Sequence, residues 1–547
     1  MKIKKIKIKN FKCYAGTFEV AFNEGVNIIV GDNESGKSTI LEAIHLALTG
    51  MLNGRYIRND LSSYLFNLAV EREYVDSLDT PTPLPPPEIL IELFFFGEGR
   101  ELAELEGDCH SDRGKSGKAS GVAYKIEFDQ ENYGEAYAEL LKKRGLNSIP
   151  IEYYTARMDS FARKGITARN IPIKSALIDS ASSRLQNGSD VYISRIIRDS
   201  LEEEERASIS QAHRKLREAF MADDNLKLIN DKITAAAKIS KKSVSISVDL
   251  SSQTAWESSL MTYIDNIPFH YIGKGEQCII KTKLALSTKK NTEATVILIE
   301  EPENHLSHAR LNQLIRDLSA ENSDKQIIIS THSSFVANKL GLENLILLRE
   351  SKEIRIGELK ANDFFRKLAG YDTLRLVLAA KAILVEGDSD ELIVQRAYMD
   401  AHDGRLPIED GIDVISVGTS FLRFLELAKA LKVPVAVVTD NDGDLEALQK
   451  KYADYQGIDH IAICYDKEID VGNLEVSGKP FNYNTLEPKL LKENDCKTLS
   501  DLLGIPLKTN DQLHIHMRAN KTECAMAIFS AKAKIKYPAY ITRAIAI

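Results

Sequence analysis

Two apolar runs that end in acidic residues constrain this chain of 547 residues more than any other feature. The first run, residues 382–385, leads into Glu386 and Asp390. The second leads into Asp440 and Asp442. An apolar run of this length between polar residues predicts a buried strand, and such strands are typical of parallel sheets. Because the carboxyl ends of parallel strands meet at one edge of the sheet, we expect these four carboxylates to lie together.

A pocket of carboxylates predicts a bound cation. Four acidic side chains in one pocket repel one another strongly unless a divalent cation lies among them, and hard cations such as Mg²⁺ prefer oxygen ligands. A site of this kind suits metal-dependent cleavage of phosphodiesters. A strand that ends in Glu-Gly, followed by a strand that ends in Asp-x-Asp, resembles the Toprim fold of topoisomerases, primases and certain nucleases. The alternative, an ordinary α/β domain with acidic residues at its strand ends, stays open for either motif alone.

The composition excludes several classes of protein. Apolar content of 44% and charged content of 27% are typical of a globular protein, and the length suits about three or four domains. No apolar run approaches the ~20 residues of a membrane span, and the basic N-terminus lacks the apolar stretch of a secretory signal. Six scattered cysteines suggest neither zinc nor disulfides. We therefore expect a cytoplasmic protein without a membrane partner. With a net charge of −8, nucleic acid would have to bind local basic patches.

A glycine-rich loop predicts a nucleotide site. The sequence G-x-x-x-x-G-K-[ST] lies between a predicted strand, Val26–Val30, and a predicted helix, Ile40–Leu48. This context identifies a Walker A loop, in which backbone amides, a helix N-terminus and a lysine bind the phosphates of ATP and a serine ligates Mg²⁺. The predicted nucleotide contacts are Gly31, Asn33, Gly36, Lys37, Ser38 and Thr39, with Ser38 also a Mg²⁺ ligand.

Three further motifs follow this loop in the order found in ATP-binding-cassette (ABC) ATPases of the chromosome-maintenance and repair branch. They resemble the signature motif (residues 272–277), the Walker B strand with its D-loop (residues 295–306) and the H-loop (residues 326–333). The resemblance implies that Glu300 holds the Mg²⁺ shell, Glu301 polarises the attacking water and His332 contacts the γ-phosphate. It also implies that Gly275 and Gln277 cap a nucleotide held by another subunit, which requires a dimer.

Two residues depart from the ABC pattern. Glu300 stands where Walker B usually has aspartate, and Lys274 stands where the signature usually has serine. The longer side chain of Glu300 moves its carboxylate by one methylene, and metal geometry is sensitive to changes of that size. The pattern therefore predicts nucleotide binding and leaves the rate of hydrolysis open.

The remaining segments suggest how the domains are divided. Residues 3–11 alternate apolar and basic residues, which predicts an edge strand with one wet face. Residues 173–237 are rich in helix formers at helical spacing, which predicts a helical insertion. This insertion is either a packing or dimerisation element or a solvated arm. The predicted domains are 1–172 and 238–372 for the two parts of the ATPase, 173–237 for the insertion and 373–547 for the Toprim domain.

The combination of domains resembles one family. An ABC-type ATPase with a helical insertion, followed by a C-terminal Toprim domain, is similar to the overcoming-lysogenisation-defect (OLD) nucleases, whose relatives include the Gabija nuclease subunit and the nuclease effectors of some retrons. The expected fold class is therefore α/β, with these two domains and a parallel sheet in the Toprim domain. The resemblance implies an ATP-regulated DNA endonuclease of anti-phage defence that forms a homodimer or larger homo-oligomer. A helicase-like subunit or a retron RNA–DNA complex is an implied further partner.

The same resemblance assigns the residues of a site with two Mg²⁺ or Mn²⁺ ions. Lys521 would neutralise charge on the phosphate, and a surface salt bridge stays open as the role of Lys521 and Glu487. Two other functions also stay open: an ATPase that senses DNA or a partner and has a weak or silent nuclease site, and an RNA-processing Toprim nuclease. The implied metal ligands are Glu386, Asp390, Asp440, Asp442 and Glu487, and the implied catalytic residues are Glu386, Asp440, Asp442, Lys521 and, in the ATPase, Glu301.

Overall fold

The protein forms two compact units. The computed structural model describes residues 1–32, 34–112, 117–142, 146–179, 185–186, 189–190, 201–236, 246, 256, 262–287, 294–304, 306–307, 309–310, 313–314, 316–317, 324–332, 344–349, 352–355 and 373–547. One unit comprises residues 1–336 and 346–353, and the other comprises residues 337–345 and 354–547. Within the described ranges, no helix has both the length and the apolarity needed to cross a membrane.

The elements up to residue 355 build the ATPase part of the chain. Its strands are β1 (Lys2–Lys9), β2 (Thr17–Ala21), β3 (Val26–Gly31), β4 (Met51–Leu52), β5 (Arg55–Tyr56), β6 (Ile89–Phe96), β7 (Glu106–Gly107), β8 (Ala119–Phe128), β9 (Tyr154–Ser160), β10 (Ser175–Asp179), β11 (Leu185–Gln186), β12 (Ser189–Asp190), β13 (Tyr263–Ile264), β14 (Ile267–Pro268), β15 (Val296–Glu300), β16 (Gln326–Thr331), β17 (Leu345–Arg349) and β18 (Lys352–Arg355). Its helices are α1 (Lys37–Thr49), α2 (Leu68–Ser77), α3 (Arg100–Ala103), α4 (Gln130–Lys142), α5 (Glu203–Ala222), α6 (Asp224–Ala236) and α7 (Lys274–Ser287).

Two sheets pack against helix α1 around a large apolar core. The first sheet is antiparallel, with the order β2-β1-β6-β8-β7 and β9 paired to β8. The second has the order β10-β15-β16-β3-β17-β18 and is parallel from β10 to β3. Helix α1 contacts both sheets and buries Ile40, Leu41 and Ile44 completely. Burial of each such side chain stabilises the fold by about 1.5–3 kcal/mol, so the core fixes the start of α1 beside β3.

Strand β1 is an interior strand, so the prediction of an edge strand is wrong. It pairs with β2 on one side and with β6 on the other. Its lysines find partners on the neighbouring strands: Lys5 Nζ lies 2.8 Å from Glu19 Oε1 and 4.6 Å from the centroid of the Phe94 ring. Lys9 Nζ lies 2.9 Å from Glu88 Oε1. The alternating lysines therefore lie on one face of a strand that is paired on both sides, and they do not indicate an exposed edge.

The predicted helical insertion starts later than residue 173. Strand β10 pairs in parallel with β15 inside the ATPase sheet and buries Ala176 and Ile178. A strand buried in this way belongs to the domain core, which places the start of any insertion after Asp179. Helices α5 and α6 do occupy the later part of the predicted segment.

The elements from residue 373 onward build the second unit. Its strands are β19 (Lys381–Val385), β20 (Ile412–Ser416), β21 (Val435–Val438), β22 (Ile461–Cys464), β23 (Glu475–Val476) and β24 (Lys479–Pro480). Its helices are α8 (Thr373–Leu378), α9 (Asp388–Ala401), α10 (Phe421–Leu431), α11 (Leu445–Lys451), α12 (Leu486–Glu493), α13 (Cys496–Leu503), α14 (Asn510–Ala519), α15 (Lys521–Ser530) and α16 (Ala539–Ala544).

A four-stranded parallel sheet organises the second unit. Its order is β20-β19-β21-β22, so the two predicted acid-tipped strands, β19 and β21, are neighbours. Ile383 and Leu384 in β19 are completely buried, as expected for a strand that is covered on both faces. The α/β fold class and the parallel sheet are confirmed.

Candidate nucleotide and metal sites

The glycine-rich loop connects β3 to α1 and passes very close to its neighbours. Gly36 has a φ of 95°, and a Cβ at this position would lie 2.4 Å from the Tyr14 hydroxyl oxygen. A Cβ on Gly31 would lie 2.7 Å from the carbonyl oxygen of Leu348. Glycine is therefore required at both positions, because any side chain would push the loop away from its neighbours. The Tyr14 hydroxyl donates to the Gly36 carbonyl at 3.2 Å and supports the turn.

The loop opens onto a cavity of about 480 Å³. Lys37 Nζ donates to the carbonyl oxygens of Gly31 and Asp32 at 2.8 and 2.7 Å. Burial lowers the pKa of Lys37, and the nearby Glu301 carboxylate partly offsets this effect. Phosphate oxygens would favour the charged ammonium, so Lys37 can exchange loop carbonyls for a bound polyphosphate. The cavity is lined by Lys12, Cys13, Glu34, Gly36, Lys37, Ser38, Thr39 and Glu301.

The Walker B and H-loop residues meet at the carboxyl edge of the ATPase sheet. Glu300 ends β15 beside Ser330 of β16. The backbone of Glu301 turns at a φ of 41°, and its N–H donates to the Ser330 carbonyl at 2.9 Å. The Glu301 carboxylate accepts from Asn304 Nδ2 at 2.8 Å and lies 3.7 Å from His332 Nδ1. The structure thus places Glu301 between the phosphate-binding loop and His332.

Glu303 is a site residue that the motifs did not reveal. Its Oε1 accepts from the Thr331 hydroxyl at 2.6 Å and from the backbone N–H of His332 at 3.0 Å. It therefore ties the D-loop to the H-loop and fixes where His332 lies. The signal in the sequence is its place two residues after Glu301 in an acid-rich run, but that spacing does not distinguish a ligand from a support.

The predicted signature residues do not line this cavity. Gly275 and Gln277 lie in the first turn of α7. The Gln277 side chain is buried, and its Nε2 donates to the Ile272 carbonyl at 2.8 Å. The Gln277 side-chain amide therefore already has a hydrogen-bond partner in its own chain. Asn33, another predicted nucleotide contact, lies outside the described residues.

In the second unit, the predicted acidic residues lie at one edge of the sheet. Strands β19 and β21 pair in parallel with Ile383 opposite Ala436. Glu386 directly follows β19, and Asp440 and Asp442 follow β21. Asp390 lies in the first turn of α9, where its Oδ2 accepts from the Gly387 N–H at 3.1 Å. The adjacency of these two strands brings the separate acidic motifs together.

The carboxylates at this edge perturb one another electrostatically. Burial, followed by the charges of Glu487 and Glu386, raises the pKa of Asp390 to about 7. Burial, followed by the charges of Asp390 and Glu487, raises the pKa of Asp440 well above its usual value of 3.8. These shifts agree with the placement of the carboxylates in one acidic pocket at the sheet edge, where Asp390 and Asp440 are partly buried and Glu386 and Asp442 are exposed.

Glu487 and Lys521 join this pocket as a pair. Lys521 Nζ lies 3.1 Å from Glu487 Oε1, and Glu487 is buried in α12. Burial alone would lower the pKa of Lys521, but the charges of Glu487, Asp440 and Asp390 outweigh it and the pKa is raised. The two residues do form a salt bridge, yet its acidic partner is buried within the acidic pocket and not on the surface.

The donor set of this pocket fits a hard divalent cation. All the predicted ligands are carboxylates, and their mutual repulsion would be relieved by a cation. In the part of the chain that the structure describes, no three acidic, histidine or cysteine side chains already converge as a metal-binding group. The fold therefore brings the predicted ligands to one edge of the sheet.

These observations define the class of protein: a P-loop ATPase domain joined to a Toprim domain whose sheet edge carries an acidic pocket. A family model described as AAA domain matches residues 5–375, and one described as Overcoming lysogenization defect protein-like, TOPRIM domain matches residues 377–442. The chain therefore belongs to the AAA-domain ATPases, and its residues 377–442 are similar to the Toprim domain of overcoming-lysogenisation-defect proteins.

Known proteins are similar over shorter stretches. The OLD nuclease of Thermus scotoductus is 31% identical over 167 residues, which are 27% of this chain and 30% of that protein. The DNA double-strand break repair Rad50 ATPase of Methanopyrus kandleri is 50% identical over 46 residues, which are 8% of this chain and 5% of that protein. The matched stretches thus span less than a third of either relative. The solved SMC head domain from Thermotoga maritima matches 64% of this chain and 97% of its own at 13% identity and a TM-score of 0.30.

The geometry of the cavity predicts separate effects for Lys37 and Glu301. Lys37→Ala removes the ammonium beside the phosphate-binding loop, and loss of a charge-assisted contact costs about 1.5–3 kcal/mol. ATP affinity should fall about tenfold or more in a fluorescent-nucleotide titration. Glu301→Gln should keep binding and block phosphate release. Lys9→Ala, which alters a lysine paired with Glu88, is the control. Undiminished ATP affinity in well-folded Lys37→Ala would contradict this assignment.

The raised pKa of Asp390 predicts how the metal-free protein responds to pH. Between about pH 4 and pH 7 the folded protein keeps a proton on Asp390 that the unfolded chain has released. Stability is therefore lost as pH rises through this window, and the full penalty is present above it. Asp390→Asn removes the ionisable group, so in EDTA at pH 8 it should stabilise the protein by more than about 1 kcal/mol, since one pKa unit corresponds to about 1.4 kcal/mol.

Thermal melts from about pH 4 to pH 8 measure this effect. The stability gain of Asp390→Asn should shrink as the pH approaches 4. Asp388→Asn, an exposed carboxylate in the same turn of α9, is the matched control. Equal melting temperatures for the two variants at pH 8 would show that Asp390 is not destabilised by its neighbours.

Proposed function

We propose that this protein is an ATP-regulated, divalent-metal-dependent DNA endonuclease that nicks or cuts DNA and acts in the cytoplasm in defence against phage. The observation that carries the proposal is the acidic pocket at the carboxyl edge of β19 and β21, with Lys521 beside it. The match to an OLD-like Toprim domain and the name of the Thermus relative, OLD nuclease, support a nuclease.

The residues of the pocket have distinct roles in this proposal. When bound, two Mg²⁺ or Mn²⁺ ions would supply an activated water and neutralise the scissile phosphate. Lys521 keeps its proton, because the carboxylates around it raise its pKa. Its ammonium would face the negative charge that develops on the phosphate, where a fixed positive charge stabilises the transition state. The ions would be held by Glu386, Asp390, Asp440, Asp442 and Glu487.

The ATPase domain would control this chemistry from the other unit. Lys37 and Ser38 would hold the phosphates and Mg²⁺ of ATP, with Glu300, Glu301 and His332 at the sheet edge. Turnover should be slow, because the Glu300 carboxylate stands one methylene further out than the usual aspartate. Gly275 and Gln277 would approach the nucleotide of a second copy only after Gln277 leaves Ile272.

A second function has one observation in its favour. Among the described residues no three potential ligands converge in advance, as expected if the nuclease site is weak and the protein mainly senses DNA or a partner through its ATPase. In the other alternative, the same metal-dependent cleavage of phosphodiesters acts on RNA. Both alternatives become outcomes of the cleavage experiment.

Cleavage assays on matched variants test the nuclease proposal. Asp440→Ala deletes a metal ligand, so Mn²⁺ affinity and cleavage of supercoiled plasmid should both be lost while ATP binding stays near normal. Lys521→Met leaves all the carboxylates in place. Metal binding should persist, and the cleavage rate should fall by about 10²–10³, as expected when one stabilising charge is removed from the transition state.

Asp459→Ala, an exposed carboxylate before β22, serves as the control. The assays use Mg²⁺, Mn²⁺ and EDTA on plasmid and on structured RNA, with Mn²⁺ binding measured by calorimetry. Undiminished cutting by well-folded Asp440→Ala would remove the nuclease function from this pocket. Cutting of RNA alone would replace DNA as the substrate.

We also propose a homodimer or larger homo-oligomer, with a helicase-like subunit or a retron RNA–DNA complex as a further partner. Helix α5 exposes apolar side chains, with Leu216 69% and Phe220 56% exposed. Together with the cross-subunit role proposed for the signature residues, these side chains favour assembly through the helical segment.

Substitutions on α5 test the assembly. Leu216→Glu combined with Phe220→Glu should give a folded monomer by light scattering, because burying two carboxylates in an apolar contact is costly. Lys215→Glu changes the charge of the same helix without removing an apolar side chain, and it should keep the parent's mass. An unchanged mass for the double variant would place dimerisation elsewhere.

A further inference from the structure

Asn441 fastens the turn that carries the two acidic residues after β21. Its side chain is 3% exposed, and its Nδ2 donates to the carbonyl oxygens of Asp466 at 2.8 Å and Glu468 at 2.9 Å. Its Oδ1 accepts from the N–H of Gly443 at 3.1 Å. A buried amide satisfied in this way holds its position, because moving it would leave buried polar groups unpaired. The turn 440–443 is thus tied to the loop that follows β22.

Lys489 holds the same loop from helix α12. Its Nζ donates to the Glu468 carbonyl at 2.9 Å and pairs with the carboxylates of Asp466 at 2.6 Å and Asp470 at 2.5 Å. The Lys489 side chain is 3% exposed. A buried ammonium needs such partners, since a buried unpaired charge is strongly unfavourable. Loop 466–470 is therefore held on both sides.

Two asparagines lead from this loop back to Asp442. Asn484 Nδ2 donates to the Asp470 carbonyl at 2.9 Å, and Asn484 Oδ1 accepts from the Asp470 N–H at 2.8 Å. The N–H of Asn484 donates to Asn482 Oδ1 at 2.9 Å. Asn482 Nδ2 in turn donates to Asp442 Oδ1 at 3.0 Å. Together these hydrogen bonds form a ring. It runs from Asn441 through loop 466–470, Asn484 and Asn482 to Asp442, the residue that follows Asn441 in the chain.

The backbone at Asp442 needs this support. Its φ of 47° lies in the left-handed region, which is less favourable for residues other than glycine, although aspartate adopts it more readily than most. The Asn441 bonds fix the backbone on one side of Asp442, and the Asn482 bond fixes its carboxylate. The direction of that carboxylate is therefore set by groups that are not themselves acidic.

The geometry points to a positioning role for this ring: Asn441, loop 466–470, Lys489, Asn484 and Asn482 hold the carboxylates of Asp440 and Asp442 in place for divalent-cation binding. The inference rests on the proposed nuclease function, because that function supplies the reason for a cation at this edge. Asn441 and Asn482 act through their acidic neighbours. Partners of ligating carboxylates commonly change metal affinity by about 10–100-fold when they are removed.

The chain offers a matched control for Asn441. Asn494 also makes three hydrogen bonds to backbone: its Nδ2 donates to the carbonyls of Leu490 and Lys536, both at 2.8 Å, and its Oδ1 accepts from the Lys536 N–H at 3.0 Å. It lies in the same unit but is not part of the ring. Asn441→Ala and Asn494→Ala should therefore both lower the melting temperature, and only the ring variant should affect the acidic residues.

Two measurements separate positioning from general stability. In metal-free protein, amide hydrogen exchange of residues 440–443 should be faster in Asn441→Ala and unchanged in Asn494→Ala. In nucleotide-free protein, calorimetric Mn²⁺ affinity should fall about 10–100-fold in Asn441→Ala and stay near that of the parent in Asn494→Ala. Asn482→Ala, which removes an exposed side chain and one bond to Asp442, should give a smaller loss of Mn²⁺ affinity.

Each result bears on a different claim. Unchanged exchange of residues 440–443 in Asn441→Ala would overturn the positioning role. Faster exchange with unchanged Mn²⁺ affinity, while Asp440→Ala abolishes Mn²⁺ binding, would overturn the link between the ring and the cation. A parent protein that binds no Mn²⁺ would instead overturn the proposed nuclease function and the ring's service to a cation, and the exchange result would still decide whether the ring positions the turn.

Discussion

Repulsion among partly buried carboxylates is the constraint on which the second unit depends. Asp390 and Asp440 lie at the carboxyl edge of neighbouring parallel strands. Burial and the charge of Glu487 raise the pKa of both carboxyls, and the charge of Asp390 further raises the pKa of Asp440. The Lys521 ammonium opposes this repulsion only in part. A fold that gathers such charges without a cation loses stability, so the arrangement is understandable if a divalent cation completes it.

The two sites of the protein are built from different chemical groups. The nucleotide cavity is shaped by backbone: glycines pass within contact distance of Tyr14 and Leu348, and Lys37 rests on loop carbonyls. The acidic pocket is shaped by side chains, which need a surrounding set of amides and ammonium groups to hold them. The nucleotide loop is therefore held mainly by close backbone packing, whereas the carboxylates depend on neighbouring side chains for their positions.

Local patterns in the sequence are sufficient for the parts of this structure that depend on short stretches of chain. The Walker A loop and the acid-tipped strands could be predicted because a few adjacent residues determine them. The sequence does not reveal strand β10. Its five residues lie beside a helix-rich segment, and their pattern is too short to distinguish a strand from that segment. The local sequence of β1 indicates an edge strand, because it does not show the partners of the β1 lysines, such as Glu19 in β2 and Glu88 just before β6.

Sequence patterns also do not predict the residues that support the two sites. Glu303 accepts from the Thr331 hydroxyl and the His332 N–H, both distant in the chain. Asn441 donates to the equally distant carbonyl oxygens of Asp466 and Glu468. Nothing in the spacing of a single glutamate or asparagine indicates such a partner. Predicting such supports requires the strand order, which sets the loops side by side.

The central claim is that the carboxylates after β19 and β21 bind a divalent cation together. The most direct measurement is an anomalous difference map from crystals of the nucleotide-free protein soaked in Mn²⁺. The account predicts a peak bounded by Asp390, Asp440 and Glu487, with a second peak toward Glu386 and Asp442. Well-ordered carboxylates without a peak between them, in crystals that show Mn²⁺ elsewhere or not at all, would contradict it.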